Sequence, residues 1–159
     1  MSGSLDDMYR EIILDHYRSP RGKKPIGRID ITSAGSNPSC GDELELELEI
    51  EDEKVKDVHV DCRGCAISVA SGSMLAELVK GKTIDEVKKT AEAVHKMLKG
   101  EDSDLPEDSE DLEALQGVRN FPVRVKCALL AWVTFIQGIK NWEEGTISNK
   151  STSTEDSEG

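Results

Sequence analysis

The chain has 159 residues, enough for one domain that buries its own core. Its formal charge of −12 excludes a sequence-independent nucleic-acid binder, which needs a basic surface. Eight acids and no base lie between Gly100 and Gln116, so two-thirds of that charge sits in one short segment. Arg18, Arg21, Lys23, Lys24 and Arg28 form a run without an acid, read as a solvated linker or a dock for an acidic partner.

In chain order, Leu5, Met8, Tyr9, Ile12, Ile13 and His16 fall at helical spacing, predicting a helix from Leu5 to Arg18 that Ser19-Pro20 ends. Residues 28–33 read as a short strand. Gly35-Ser-Asn-Pro-Ser-Cys-Gly-Asp42 reads as a loop. Leu44, Leu46, Leu48 and Ile50 then alternate with glutamates, the pattern of a strand with one dry and one acidic face. A turn at Glu51 to Lys54 and a returning strand from Val55 to Asp61 complete an antiparallel hairpin.

Ala66 to Lys80 predicts a helix of small residues closed by Gly81. Thr83 and Glu86 have the spacing of a capping box for a helix through Ile84, Val87, Ala91, Val94 and Leu98. Glu101 to Ser109 reads as an acidic, mobile loop, and Leu112 to Leu115 as one or two helical turns. Pro122 suits the first turn of a final helix through Val125, Leu129, Trp132, Val133 and Ile136. Residues 146–159 are rich in Ser, Thr and Glu, the composition of a disordered tail. The fold class expected is α+β, a small antiparallel sheet packed against helices. No apolar run approaches the roughly 20 residues that span a bilayer, and the first residues carry no basic and apolar leader, so the expectation is a cytoplasmic protein without membrane or nucleic-acid partners.

Four cysteines in such a setting point to metal or reactive thiols rather than to disulfides. Cys62 and Cys65 form a Cys-x-x-Cys at the junction of strand and helix. Cys65 opens a helix, and Cys127 is flanked by Arg124 and Lys126, settings that favour thiolate. Asp42 follows Cys40 across Gly41, a spacing that can aim both side chains at one point. Three thiolates and a carboxylate would complete a tetrahedral site for zinc or iron. The plainer readings are a buried apolar Cys127, a turn-fixing Asp42 and a Cys62 that is core or bystander. His59 is expected at the surface, His95 at the border of its helix's apolar face, and His16 in packing. Met97, Trp132 and Phe135 read as core.

Together the segments Tyr9-Arg-Glu-Ile-Ile-Leu-Asp-His-Tyr17, Asn37-Pro-Ser-Cys-Gly-Asp42, Gly64-Cys-Ala-Ile-Ser-Val-Ala-Ser71 and Val123-Arg-Val-Lys-Cys-Ala128 resemble the IscU/NifU-type iron–sulfur cluster assembly family, and more closely its SufU branch. The resemblance runs from Leu5 to Trp142. It implies a SufE/IscU-like single domain over residues 1–145, with an acidic insertion at 100–116 and the tail beyond. It implies one metal site of Cys40, Asp42, Cys65 and Cys127, holding zinc or a [2Fe-2S] cluster. Its partners would be a cysteine desulfurase and the downstream iron–sulfur assembly machinery. Lys126 stands where the scaffold branch has His, and Asn120-Phe-Pro-Val-Arg124 where that branch has Leu-Pro-Pro-Val-Lys. Both departures, with the acidic insertion, favour a zinc-containing sulfur acceptor over a classical scaffold. In that reading Cys40, on its Gly/Pro loop, takes persulfide sulfur as a sulfurtransferase would, and Arg124 steers an anionic sulfur or pairs with Asp42. The alternatives are a non-enzymatic scaffold that assembles [2Fe-2S] on the same ligands, a thiol–disulfide oxidoreductase using Cys62 and Cys65, and a purely structural zinc module.

Overall fold

The computed structural model describes residues 3–107, 109–145 and 151–153. The elements run α1 (Gly3–Arg18), β1 (Ile31–Asn37), β2 (Asp42–Glu51), β3 (Lys54–Arg63), α2 (Ala66–Val79), α3 (Ile84–Leu98), a 3-10 helix (Glu110–Val118), α4 (Pro122–Glu143) and β4 (Ser151–Ser153). The sheet has the order β3-β2-β1-β4. Its three long strands are antiparallel, as the alternating pattern requires, and β4 joins β1 in parallel.

Three expectations shift. The first strand begins and ends later than residues 28–33, because Ile31, Ser33, Gly35 and Asn37 turn inward in register with Leu48, Leu46, Leu44 and Asp42. That pairing takes Gly35 to Asn37 out of the expected loop and leaves only a tight turn before Asp42. The acidic stretch also divides. Residues 101–106 have no regular structure, whereas the 3-10 helix outruns the expected turn or two by burying Leu112, Ala114, Leu115 and Val118. In the tail read as disordered, Ser151–Ser153 pairs instead with Ala34 to Ser36, where β1 offers an open edge of backbone donors and acceptors; the neighbouring tail residues lie outside the described residues.

The hairpin turn is built on Asp52 and Glu53, both at positive φ (53° and 59°), the backbone hand that matches the twist of the flanking strands. The Glu53 carbonyl accepts the Ile84 N–H at 3.0 Å, which locks this turn to the start of α3. There the capping box forms in full, Thr83 accepting from the Glu86 N–H and Glu86 from the Thr83 N–H.

Leu44, Leu46, Leu48, Val58 and Val60 line the inner sheet face beneath α2 and α4. Each fully buried leucine stabilises by about 1.5–3 kcal/mol. α2 lies close on the sheet because it is made of small residues; a Cβ at Gly72 would stand 3.2 Å from Val60. One of its buried hydroxyls is satisfied from α4. Ser71 donates to the Ala128 carbonyl at 2.6 Å and accepts from the Trp132 indole at 3.1 Å. Met97, Trp132 and Phe135 are buried as expected. α4 is 22 residues long and apolar enough by length to cross a membrane, but it packs against α2, α3 and β1 as the core helix.

Three of the five bases in the basic run take part in ion pairs within the chain. Arg21 pairs with Asp15 and Glu77, Lys23 with Asp61, and Arg28 with Asp30.

Candidate metal and sulfur site

Three chain segments converge where the sheet meets the N-termini of α2 and α4. The tight turn after β1 delivers Cys40, the first residue of β2 is Asp42, Cys65 is the N-cap of α2, and Cys127 lies in the second turn of α4. Ligand atoms of Cys40, Asp42 and Cys127 all lie within 4.8 Å of one another. The Cys127 thiol donates to Cys40 Sγ at 3.4 Å. Cys65 stands just outside that mutual group, its Sγ 3.7 Å from Ser68 Oγ and within reach of the Cys127 thiol. The structure thus brings Cys40, Asp42 and Cys127 together, with Cys65 beside that group rather than within it.

Asp42 is 1% exposed, yet it is built to be ionised. Its Oδ1 accepts the Cys65 N–H at 2.9 Å; its Oδ2 accepts the Ser68 hydroxyl at 2.7 Å and the Asn37 amide at 3.2 Å. Burial opposes the charge, but donation from Ser68, Cys65, Cys127 and Asn37 outweighs it and holds the carboxyl below its ordinary range. Gly64 makes this possible. A Cβ there would lie 2.2 Å from Asp42 Oδ1, so only glycine lets the strand end pass the carboxylate.

The expectation that Arg124 and Lys126 would favour a Cys127 thiolate is corrected. Burial drives the thiol pKa up, and the contacts with Asp42, Cys40 and Cys65 push it further the same way. Arg124 lies by Cys65 and Cys127, and interaction with those two thiols raises its pKa; Asp42 is not its partner in that balance. A buried carboxylate beside a thiol that burial pushes up is the setting a doubly charged cation relieves, and three sulfurs with one oxygen suit zinc or iron. The residues thus fit the metal that the resemblance implies.

Cys62 continues the inward phase of Val58 and Val60, opposite Leu44, and packs against the core. Burial, then Asp42, Cys65 and Asp61, push its thiol up to about 12, so it is a poor nucleophile near neutrality.

Of the histidines, His59 is partly exposed beside Glu47 at 3.2 Å, and His95 is partly buried. His16 is fully buried but not in mere packing. Its Nδ1 meets Ser73 Oγ and its Nε2 meets Asp111 Oδ2, both at 2.7 Å. Sequence reading missed Ser68, Asn37 and Gly64 around the thiols. Ser68 was findable one helical turn after Cys65, where a hydroxyl turns back toward the N-terminus; Asn37 had no local signal.

The family model described as "NifU-like N terminal domain" matches residues 8–148. The chain is 37% identical over 144 residues to the Bacillus subtilis protein named "Zinc-dependent sulfurtransferase SufU", covering 91% of this chain and 97% of that one. It is 36% identical to the Thermotoga maritima protein named "Iron-sulfur cluster assembly scaffold protein IscU", over 84% and 93% of the two chains. Among solved structures, the putative SUF-system scaffold of Fervidobacterium islandicum superposes with TM-score 0.73 at 31% identity, covering 81% of this chain and 94% of that one. The N-terminal NifU-like protein of Brucella abortus superposes with TM-score 0.78 at 27% identity, over 88% and 97%.

Proposed function

The chain belongs to the NifU-like N-terminal domain family of iron–sulfur cluster assembly proteins, and on that premise we propose that it accepts persulfide sulfur from a cysteine desulfurase at a zinc–thiolate site. The observation that carries the reading is the convergence of Cys40, Asp42 and Cys127, with Cys65 adjoining and Asp42 held ionised by its hydrogen-bond donors. Those four residues would hold the zinc. Zinc, when bound, keeps the thiols deprotonated near neutral pH.

The roles divide by element. Cys65 and Cys127 stand on helices and hold their places. Cys40 is half-buried on an exposed turn of Pro38, Ser39 and Gly41, the one thiol able to swing outward without unwinding a helix. Its sulfur attacks the outer sulfur of the desulfurase persulfide. One S–S bond forms, the donor's S–S bond breaks, and the electron pair leaves on the desulfurase cysteine. Asn37 and Ser68 keep Asp42 aimed while Cys40 moves. Arg124, exposed beside the thiols, draws in an anionic sulfur. The protein works in the cytoplasm, and the sulfur passes on to the iron–sulfur assembly machinery.

The raised Cys62 pKa weighs against an oxidoreductase working through Cys62 and Cys65. The scaffold reading uses the same ligands and is separated by content. Protein purified without oxygen should be colourless and hold about one zinc per chain; iron with inorganic sulfide and a visible band would make it a scaffold instead. Cys40→Ala should abolish stimulation of desulfurase turnover while the fold survives, and Cys65→Ala and Cys127→Ala should fail through loss of metal. Cys62→Ser should keep the zinc. Loss of zinc there with retention in Cys127→Ser would overturn the ligand assignment.

A further inference from the structure

We infer that His16, Glu77 and Asp111 form a second cation site, for a divalent first-row metal taken through nitrogen and oxygen donors, distinct from the thiol site. The three come from α1, α2 and the 3-10 helix of the acidic insertion, and their ligand atoms lie within 4.8 Å of one another.

The histidine is set as a ligand is set. His16 is 0% exposed, so its ring cannot turn to water. Ser73 Oγ, itself buried, accepts the Arg21 N–H at 2.8 Å and faces His16 Nδ1 at 2.7 Å. With its second lone pair Ser73 can accept an Nδ1–H, the arrangement that fixes a metal-binding imidazole through its outer nitrogen. The Nε2 lone pair then points at Asp111 Oδ2, 2.7 Å away. Two lone pairs at that distance need a proton or a cation between them.

The carboxylates are free to make the room. Metal–donor lengths of about 2.0–2.2 Å set tetrahedral donors about 3.3 Å apart. Asp111 and Glu77 have half-exposed side chains, and both line an open cavity of about 240 Å³ walled also by Met74, Leu78 and Leu112. Glu77 is held at 3.3 Å by Arg21, which keeps Asp15 at 2.9 Å if Glu77 turns away. One imidazole and two carboxylates, with room for water, match the preference of ferrous, manganous or cobaltous ions rather than that of a thiophilic metal. The acidic insertion thereby gains a purpose beyond charge, because it supplies one ligand and brings Glu110 to the rim.

The test uses the full chain already loaded with zinc, titrated with cobalt(II) and followed by calorimetry and absorption. The wild type should bind one further cobalt without a thiolate-to-cobalt band. Asp111→Asn and Glu77→Gln, both at half-exposed positions that leave the core intact, should each weaken that binding by about tenfold or more. Ser73→Ala should weaken it by about 10–100-fold, by freeing the ring that the serine orients. Thermal melts accompany each variant, and the two exposed variants decide the matter if Ser73→Ala fails to fold. No further cobalt in the wild type, or equal binding in Asp111→Asn and Glu77→Gln, overturns the proposal. A thiolate band with no further cobalt bound also overturns it, because the cobalt has then only displaced zinc from the cysteine site, an outcome that leaves the sulfur-acceptor reading standing.

Discussion

Two polar clusters hang on the same short helix, and they are stabilised in opposite ways. At the N-terminus of α2, Ser68 and the Cys65 N–H serve a buried carboxylate beside Cys127, whose thiol burial pushes up. A turn and a half further on, Ser73 serves a buried imidazole whose partners are half-exposed acids and an arginine. The first cluster is complete in donors but short of positive charge. The second carries its own cation in Arg21. The buried thiol site therefore has no buried positive charge of its own to set against its acids, whereas in the second cluster Arg21 offsets part of the acid charge and leaves an imidazole and two carboxylates side by side.

The sharpest way to break the contrast is Gly64→Ala. The added Cβ meets the Asp42 carboxylate itself, so the strand end or the aspartate must move. Stability should fall by about 1–3 kcal/mol, with loss of bound metal, read by thermal melt and metal analysis, while Asp111 and Ser73 stay undisturbed. Next in size is Ser68→Ala against Ser73→Ala. Ser68 donates to an ionised carboxylate, a bond worth about 1.5–3 kcal/mol, whereas Ser73 makes neutral ones worth about 0.5–1.5 kcal/mol each. In metal-free protein Ser68→Ala should therefore lower the denaturant midpoint more; the reverse order would show that the second cluster is the charged one. Cys62→Ala should cost about 1 kcal/mol of packing and leave metal content unchanged.

A carboxylate remote from both clusters gives the smallest effect and the baseline. Asp30 is held below its ordinary pKa by Arg28 and by the Ile50 N–H. Its contribution is present above the unfolded value of about 3.9 and vanishes as pH falls through the lower folded value. In wild type the acid limb of a melting curve should therefore be steeper than in Asp30→Asn.

The sequence disclosed the thiol site because its chemistry is rare. Cysteine beside glycine, and Asp42 two residues from Cys40, are local patterns that need no fold to be noticed. The hairpin and the capping box were legible for the same reason, since alternation and Thr83 to Glu86 spacing act over a few residues. What stayed hidden depends on distance. His16 and Asp111 are 95 residues apart and of common types, so nothing local distinguishes them from a packed ring and a surface acid. The same holds for Asn37, which reaches Cys127 across 90 residues. The effect of Arg124 and Lys126 was misjudged because flanking charge is visible in sequence and burial is not.

The pairing of Ser151–Ser153 with β1 bears on how copies of the chain behave when crowded. A strand at the rim of a sheet is a template for any extended segment that drifts past. Here the rim of β1 is already occupied over Ala34 to Ser36, immediately before the turn that carries Cys40. A version cut after Gly145 would bare those groups beside Cys40. Its self-association should rise with concentration, joining chains edge to edge next to the turn that carries this thiol.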